Sequence, residues 1–421
     1  MSLLAPAAGA LQRAERSAIA DKPLRENVPT EHRAQTAART IEVFTDLSDA
    51  KEVWRSFEEH AHGSIYQSYD WCKTWLDCFD EPNNFPVIVV AKIGASPALL
   101  LPLHARQTLA GIVQIEPIGG HHANIRIPLT HRHPDLRDSM IAWVKDGFVD
   151  DLTRHLRLAS AGDFLSLGCM AQSFGDTENL LLGGDASRCS DAVFGIGLPA
   201  DFDAFALARR GKPFMKKLRS KMRALETIGP IRLDKADTVD DVDEALSTFF
   251  AQKKQRFDAL KMFNRFDHAK DRSFLRALGA QSVKTGSGSL DVYRLFVGEE
   301  VAAVFALGHF QGHASGAVHS MSSAPHIAGR SPGDVMLYNL MKRLAGEGSA
   351  FFDLGFGDHR YKQSWTDTIP LYSIERRITA RGWIIGFINR AQSITRSALL
   401  SNPLIARFAR QARFIIARLQ G

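Results

Sequence analysis

The sequence predicts an α/β protein in two similar parts, each built on a mixed, mostly antiparallel sheet. Three observations lead there. The chain has 421 residues, more than one ordinary core holds. It is 45% apolar and 23% charged, a balance that supports a large core without disulfides. One order of elements, β-α-α-β-β-β-α-β, can be read twice along it.

In the first part, TIEVFTD (40–46) reads as a strand, and residues 47–60 and 68–79 read as helices with Asp46 or Ser48 as cap. FPVIVVAKI and ALLLPLHARQT follow, joined at Gly94–Pro97 as a hairpin. IVQIEPIGG is a third strand. Residues 135–159 carry Met140, Ile141, Val144, Phe148 and Leu152 at helical spacing. DFLSLG (163–168) is the next strand, with another helical segment expected after it.

The second part repeats the order. PIRLDKA (230–236) is a strand, and 239–259 and 269–280 are helices. LDVYRLFV and VAAVFALGHF make a hairpin around Gly298 and Glu299, and ASGAVHSMS is the third strand. Residues 333–346 form a helix ending at Gly346, FFDLGF is the strand after it, and LYSIERRIT a later one. A meander followed by one helical crossover places the last of these strands parallel to the third.

Four cysteines (Cys72, Cys78, Cys169, Cys189) show no CxxC pair and no metal-ligand spacing, so they read as small core residues in a reducing, cytoplasmic setting. No apolar run reaches the ~20 residues of a spanning helix. Residues 1–40 mix Ala, Pro and charge without a period and read as disordered. They lack the basic start of a secretory signal.

The net charge is +6, and it is concentrated. Eight basic residues and no acid lie between Ala204 and Leu225, and seven arginines and no acid follow Ile378. Such patches favour anionic partners. In FMKKLRSKMRAL, Phe214, Leu218, Met222 and Leu225 share one helical face, as in a linker helix with a solvated basic side. In the tail, Leu404, Ile405, Phe408, Ala412, Ile415 and Leu419 fall on one side among arginines. That suits either an anionic membrane surface or docking on a protein body.

No GxSxG elbow, Walker-type GxxxxGK[ST] or dinucleotide GxGxxG follows a strand, which argues against hydrolase, NTPase and Rossmann chemistry. The histidines show no HExxH or facial-triad spacing, and no metal is expected. His319, on the third strand of the second part, can face a site as a base or be an ordinary core or surface histidine.

Two stretches carry candidate chemistry. In APHIAGRSPGDVMLYNLMKRL, residues 329–333 precede a helix, where free backbone amides and Arg330 can hold a phosphate. The same residues also fit a plain helix start with Ser331 as N-cap and Pro332 at the first position. FFDLGFGDHRYKQSW (351–365) ends a strand on a crowd of polar groups beside that gap. There Tyr361 can protonate a departing thiolate and Lys362 can balance developing charge. The plainer alternative makes Tyr361 and Trp365 helix-packing residues and Lys362 a solvated one.

These stretches resemble those of the CelD/BcsL group of GNAT-superfamily acyltransferases, associated with cellulose and exopolysaccharide biosynthesis. SIYQSYDWCKTWLDCF, ALLLPLHARQ, KKLRSKMRALETIG, FFAQKKQRF, SPGDVMLYNLM and FFDLGFGDHRYKQSW carry the resemblance, over roughly residues 41–380. It implies tandem GNAT-like domains, in a layout similar to that of the Fem ligases: 41–195 a degenerate copy, 196–380 the copy with the site, and 381–421 a basic amphipathic tail. DFLSLGCMAQSFGD (163–176) takes the place of the last motif in the first copy and lacks its Tyr-Lys-x-x-Trp.

The resemblance implies acetyl-CoA or another acyl-CoA as donor. It implies a sugar or lipid-linked saccharide as acceptor, no nucleic acid, and a cytoplasmic place at most peripheral to the inner membrane. Carried over by position, the catalytic candidates are Tyr361, Lys362, Asp358 and Asp353. The donor candidates are Arg330, Ser331, Gly333 and Gly357, and the acceptor candidates are Arg256 and Trp365, to which the place of His319 on the third strand adds that residue. Against the superfamily loop [RQ]xxGx[GA], this chain has Val335 in the last position, where a side chain can hinder a close phosphate approach. A Fem-like aminoacyl-tRNA-dependent transferase and a non-catalytic scaffold of a polysaccharide complex are the alternatives.

Overall fold

The computed structural model describes residues 38–81, 84–108, 111–356 and 360–384. The expectations for residues 1–37 and for the tail from 385 onward lie outside them. Strands of two or three residues and single-turn helices aside, the elements run as follows. The first part holds β1 (Arg39–Phe44), α1 (Leu47–Glu58), α2 (Tyr69–Cys78), β2 (Phe85–Ile93), β3 (Ser96–Gln107), β4 (Val113–Pro117), α3 (Pro134–Asp146), α4 (Phe148–Leu158) and β5 (Phe164–Ala171). β6 (Ser187–Gly197) and α5 (Phe202–Glu226) connect to the second part. That part holds β7 (Ile231–Lys235), α6 (Val239–Leu260), α7 (Ala269–Thr285), β8 (Asp291–Val297), β9 (Glu300–Phe310), β10 (His313–Met321), α8 (Pro332–Gly346), β11 (Phe351–Phe356), α9 (Arg360–Trp365) and β12 (Asp367–Arg377).

The strands form one mixed, mostly antiparallel sheet in the order β1-β2-β3-β4-β5-β12-β6-β11-β10-β9-β8-β7. β5 is parallel to β4 and β11 is parallel to β10, as the crossover argument requires. The order reads alike from both edges because the two parts exchange their last strands. β12, from the end of the second part, pairs with β5 of the first, while β6 pairs with β11 of the second. β6 and β12 pair with each other at the centre, which makes the sheet continuous.

Alternation along β2 shows the layering. Ile88 and Val90 join the core under α1 and α2, whereas Val87, Val89 and Ala91 join the core under α3 and α4. The first of these cores runs on under α6 and α7 with Phe249 and Phe274, so one apolar layer spans both parts. A third core lies under α5 and α8. The face of α5 expected to be apolar packs there through Leu218 and Leu225, with Phe214 and Met222 at its edge.

Three local expectations need correction. The helix expected over 135–159 is two, because Gly147 sits at φ 116° and turns the chain between α3 and α4. No helix directly follows β5. A small ladder, Ser173–Phe174 with Thr177–Glu178, leads into strand β6 instead, and α5 starts only at Phe202. Of the cysteines only Cys72 is fully buried, and the other three are half-buried. All four are free thiols.

Candidate active site

β10 and β11 pair over three positions only: His313 with Phe351, Ala314 with Phe352 and Ser315 with Asp353. Beyond them the strands part. On its other side β11 carries a bulge where Phe194 opposes Gly355 and Gly195 opposes Asp353. Gly355 takes φ 70°, and a Cβ there would lie 2.7 Å from Asn124 Cγ, so only glycine fits this turn of the strand. Asn124 in turn donates from Nδ2 to the Gly316 carbonyl at 2.7 Å, and the Tyr66 hydroxyl donates to the same carbonyl at 3.1 Å. The first part thus props open the gap in the second.

Two cavities meet at this gap. The smaller, about 280 Å³, runs from Ala303–Phe305 and His319–Met321 to the start of α8 at Ser331, Gly333 and Asp334. Its end is the first turn of a 15-residue helix. There the Ser331 amide donates to the Ala328 carbonyl, the Asp334 amide donates to that of Ser331, Pro332 has no N–H, and the Gly333 amide is left without a backbone partner among the described residues. Ser331 is the N-cap in a left-handed conformation (φ 55°) and makes no side-chain cap bond. A Cβ on Gly333 would meet Met321 Sδ, so a side chain there would displace the end of Met321. Val335 is fully buried in the core beneath, so its side chain does not fill the cleft. Asp334 is held by an ion pair with Lys221 of α5.

The larger cavity, about 390 Å³, lies on the other side of Phe305 and His319. Its walls include Trp71, Phe257, Phe263 and Phe274, with Lys253, Arg265, His121, His122 and Lys362 among them. Lys362 is 3% exposed and donates from Nζ to the carbonyls of Gly355 (3.3 Å) and Phe356. It therefore ties α9 to the end of β11. Burial lowers its pKa to about 8, against the opposing pull of Asp353. Asp353 is fully buried, and its Oδ1 accepts from the Gly355 amide at 2.6 Å. Its Oδ2 has no hydrogen-bond partner among the described residues. Burial raises its pKa to about 7. Burial thus brings the pKa values of an acid and a base together near neutrality at one strand end.

The equivalent gap of the first part is filled. Arg126 pairs as a bridge with Met170, donates from Nη1 to the Gly168 carbonyl at 2.9 Å, and reaches the Gly120 carbonyl as well. About 20 Å³ is left beside it.

Comparison with known proteins agrees with this asymmetry. Residues 212–363 match the family model described as an acetyltransferase (GNAT) domain. The chain carries a GNAT acyltransferase domain. Both cavities draw most of their walls from it, and GNAT domains generally take acyl-CoA as donor. Among solved structures, FemX aligns at 11% identity over 79% of this chain and 96% of its own, with a TM-score of 0.52. The C-terminal domain of a putative lysylphosphatidylglycerol synthetase from Agrobacterium fabrum aligns at 12% over 82% and 95%, TM-score 0.48. A tandem GNAT protein from the clavulanic acid biosynthesis pathway aligns at 12% over 81% and 99%, TM-score 0.43. At such identities FemX speaks for the fold alone. No curated protein matches the chain.

The GNAT domain gathers some of the expected residues and disperses others. Ser331 and Gly333 line the smaller cavity, Lys362 lines the larger, and His319 belongs to both. Asp353 lies buried next to them without lining either. Arg330 turns away and donates to the His326 carbonyl. Arg256 is exposed on α6 and lines neither cavity. Trp365, expected at the acceptor, is instead a core residue 1% exposed. It packs on Phe202 and Phe214, with the Arg210 guanidinium 5.2 Å from its ring. Tyr361 has a helical backbone in α9, while its side chain, Gly357 and Asp358 lie outside the described residues.

Sequence reasoning missed Lys253, Arg265, Asn124 and Tyr66. One signal was available: Lys253 sits four residues from both Phe249 and Phe257, on the face that carries the core. His121 and His122, set aside for lack of metal spacing, both meet Asp271 Oδ1, at 3.3 and 2.9 Å. The Trp75 indole donates to Nδ1 of His122 at 3.2 Å, so His122 carries its proton on Nε2.

Proposed function

We propose that the chain transfers an acyl group, acetyl in the first instance, from acyl-CoA to an amine or hydroxyl of a sugar or lipid-linked saccharide in cellulose or exopolysaccharide synthesis. The observation that carries this reading is the meeting of two cavities across Phe305 and His319, beyond the three positions over which β10 and β11 pair. The donor's pyrophosphate lies at the start of α8, against the Gly333 amide and the positive end of the helix dipole. Its thioester reaches the gap, and the acceptor enters through the larger cavity.

In the transfer the acceptor's nitrogen or oxygen attacks the thioester carbonyl and the C–S bond breaks. The acceptor loses a proton and the thiolate gains one. Lys362 uses two of its three donors on carbonyls, which leaves one for the developing oxyanion. Tyr361, its neighbour in sequence, supplies the proton to the thiolate. Arg256 and the tail act outside the chemical step, the tail by contact with an anionic membrane.

The test is release of free CoA from acetyl-CoA by the full chain with saccharide acceptors, compared with Lys362→Met and Tyr361→Phe. Turnover falls by a factor on the order of 100 in each if these groups act in the transition state. Unchanged turnover in both removes the assignment.

A further inference from the structure

The larger cavity has a charge pattern that the acyl-transfer reading does not require. Three cations stand at increasing depth: Arg265 exposed at the mouth, Lys253 half-buried on the wall and Lys362 buried at the end. Among the described residues no Asp or Glu lines the cavity. Two carboxylates close to the cavity are bonded elsewhere, Asp353 through one oxygen only. Asp271 is bonded by His121 and His122, and Asp353 by the Gly355 amide.

The side chains of Lys253 and Arg265 make no hydrogen bond or ion pair among the described residues. Lys253 has aromatic neighbours instead, with Nζ 5.5 Å from the Phe257 ring and 5.9 Å from that of Phe249. Burial, with Arg256 and Lys362 close by, lowers its pKa to about 8. Asp271 acts on Arg265 and Asp353 on Lys362 through space, but none of the three cations has a direct ion pair among the described residues, and a bound anion removes the cost of their partial desolvation. Aromatic walls with a few convergent polar groups are the usual make-up of a small-molecule site.

We propose that the larger cavity is an anion subsite in which Lys253 and Arg265 hold a carboxylate or phosphate of the acceptor, so that the acceptor is a charged saccharide and not a neutral one. The inference rests on the acyltransferase reading for the word acceptor, but the subsite itself does not. Lys362 stays at the reacting end, and Lys253 and Arg265 fix the far end of the substrate by charge. Carboxylate and phosphate share this chemistry, and the experiment separates them.

The experiment is calorimetric titration of the full chain, saturated with CoA so that the donor cleft is filled, with glucuronate, glucose 1-phosphate and glucose. At least one charged sugar binds about tenfold tighter than glucose, and the tighter of the two names the anion. Lys253→Gln and Arg265→Gln each weaken that sugar by about tenfold and leave CoA affinity unchanged, since neither residue lines the donor cleft. Equal binding of all three sugars overturns the proposal. So does charged-sugar binding that neither variant alters. If CoA fails to bind while a charged sugar still binds through Lys253 and Arg265, the donor reading falls and the anion subsite stands.

Discussion

The rings of Phe305 and His319 stack 5.7 Å apart at 17° on the wall common to both cavities. They are neighbours across the β9–β10 ladder, so the sheet itself fixes their distance. Phe305 also packs on Phe352 of β11. Truncating it should do two things. Phe305→Ala loses on the order of 3 kcal/mol of unfolding free energy, as buried aromatics do. Phe305→Leu keeps most of that stability yet still removes the stack, and its acetyl-CoA turnover drops. Chemical denaturation and a CoA-release assay on the two variants separate packing from positioning. Full turnover in Phe305→Leu would deny the wall a role.

Asp353 gives the fold a pH dependence of defined sign. Its pKa rises from an ordinary 3.8 to about 7 because it is buried. Between about pH 4 and 7 the unfolded chain releases this proton and the folded chain keeps it, so stability falls as pH rises. Roughly three units correspond to a loss on the order of 4 kcal/mol across that window. Lys362, lowered to about 8, acts oppositely and favours the fold from about pH 8 to 10.5. Asp353→Asn retains an oxygen for the Gly355 amide and removes the lower slope. Denaturation at pH 5 and pH 7.5 reads the difference, which shrinks in the variant and persists in the parent.

The ion pair of Lys221 with Asp334 stands at the mouth of the smaller cavity. Without Lys221 a bare carboxylate faces the place where the phosphates are proposed to sit. Lys221→Met should weaken acetyl-CoA by about tenfold, and Asp334→Asn added to it should restore most of the loss. Calorimetry of the single and double variants completes the cycle. An unaltered affinity in Lys221→Met places the phosphates elsewhere.

Much of this architecture was legible in the sequence because its signals are local. The hairpins at Gly94–Pro97 and Gly298–Glu299, the cap at Asp46 and the helix ending at Gly346 all announce themselves within a few residues, whereas α7 runs to Thr285, past the expected end at residue 280. β6 was missed because SRCSDAVFGIG is half polar and its partners, β11 and β12, are distant in sequence. The exchange of last strands is likewise a tertiary choice that no window shows.

At the site, FFDLGF was correctly read as a strand end, and Lys362 and Asp353 converge there. Trp365 was drawn to the wrong side because its surroundings, Phe202 and Phe214, come from α5, some 150 residues earlier. Arg256 drew attention that belonged to Lys253, one turn back on the same helix and on its inner face.

The central claim is that acyl-CoA binds where β10 and β11 part, at the start of α8. Hydrogen exchange of the full chain with and without acetyl-CoA tests it directly, because it reads backbone amides element by element. The account predicts slowed exchange in 303–305, 319–321 and 331–337, with little change around Arg126 and Met170 in the filled gap of the first part. Protection centred on that first-part gap, or none in 331–337 at saturating acetyl-CoA, would contradict it.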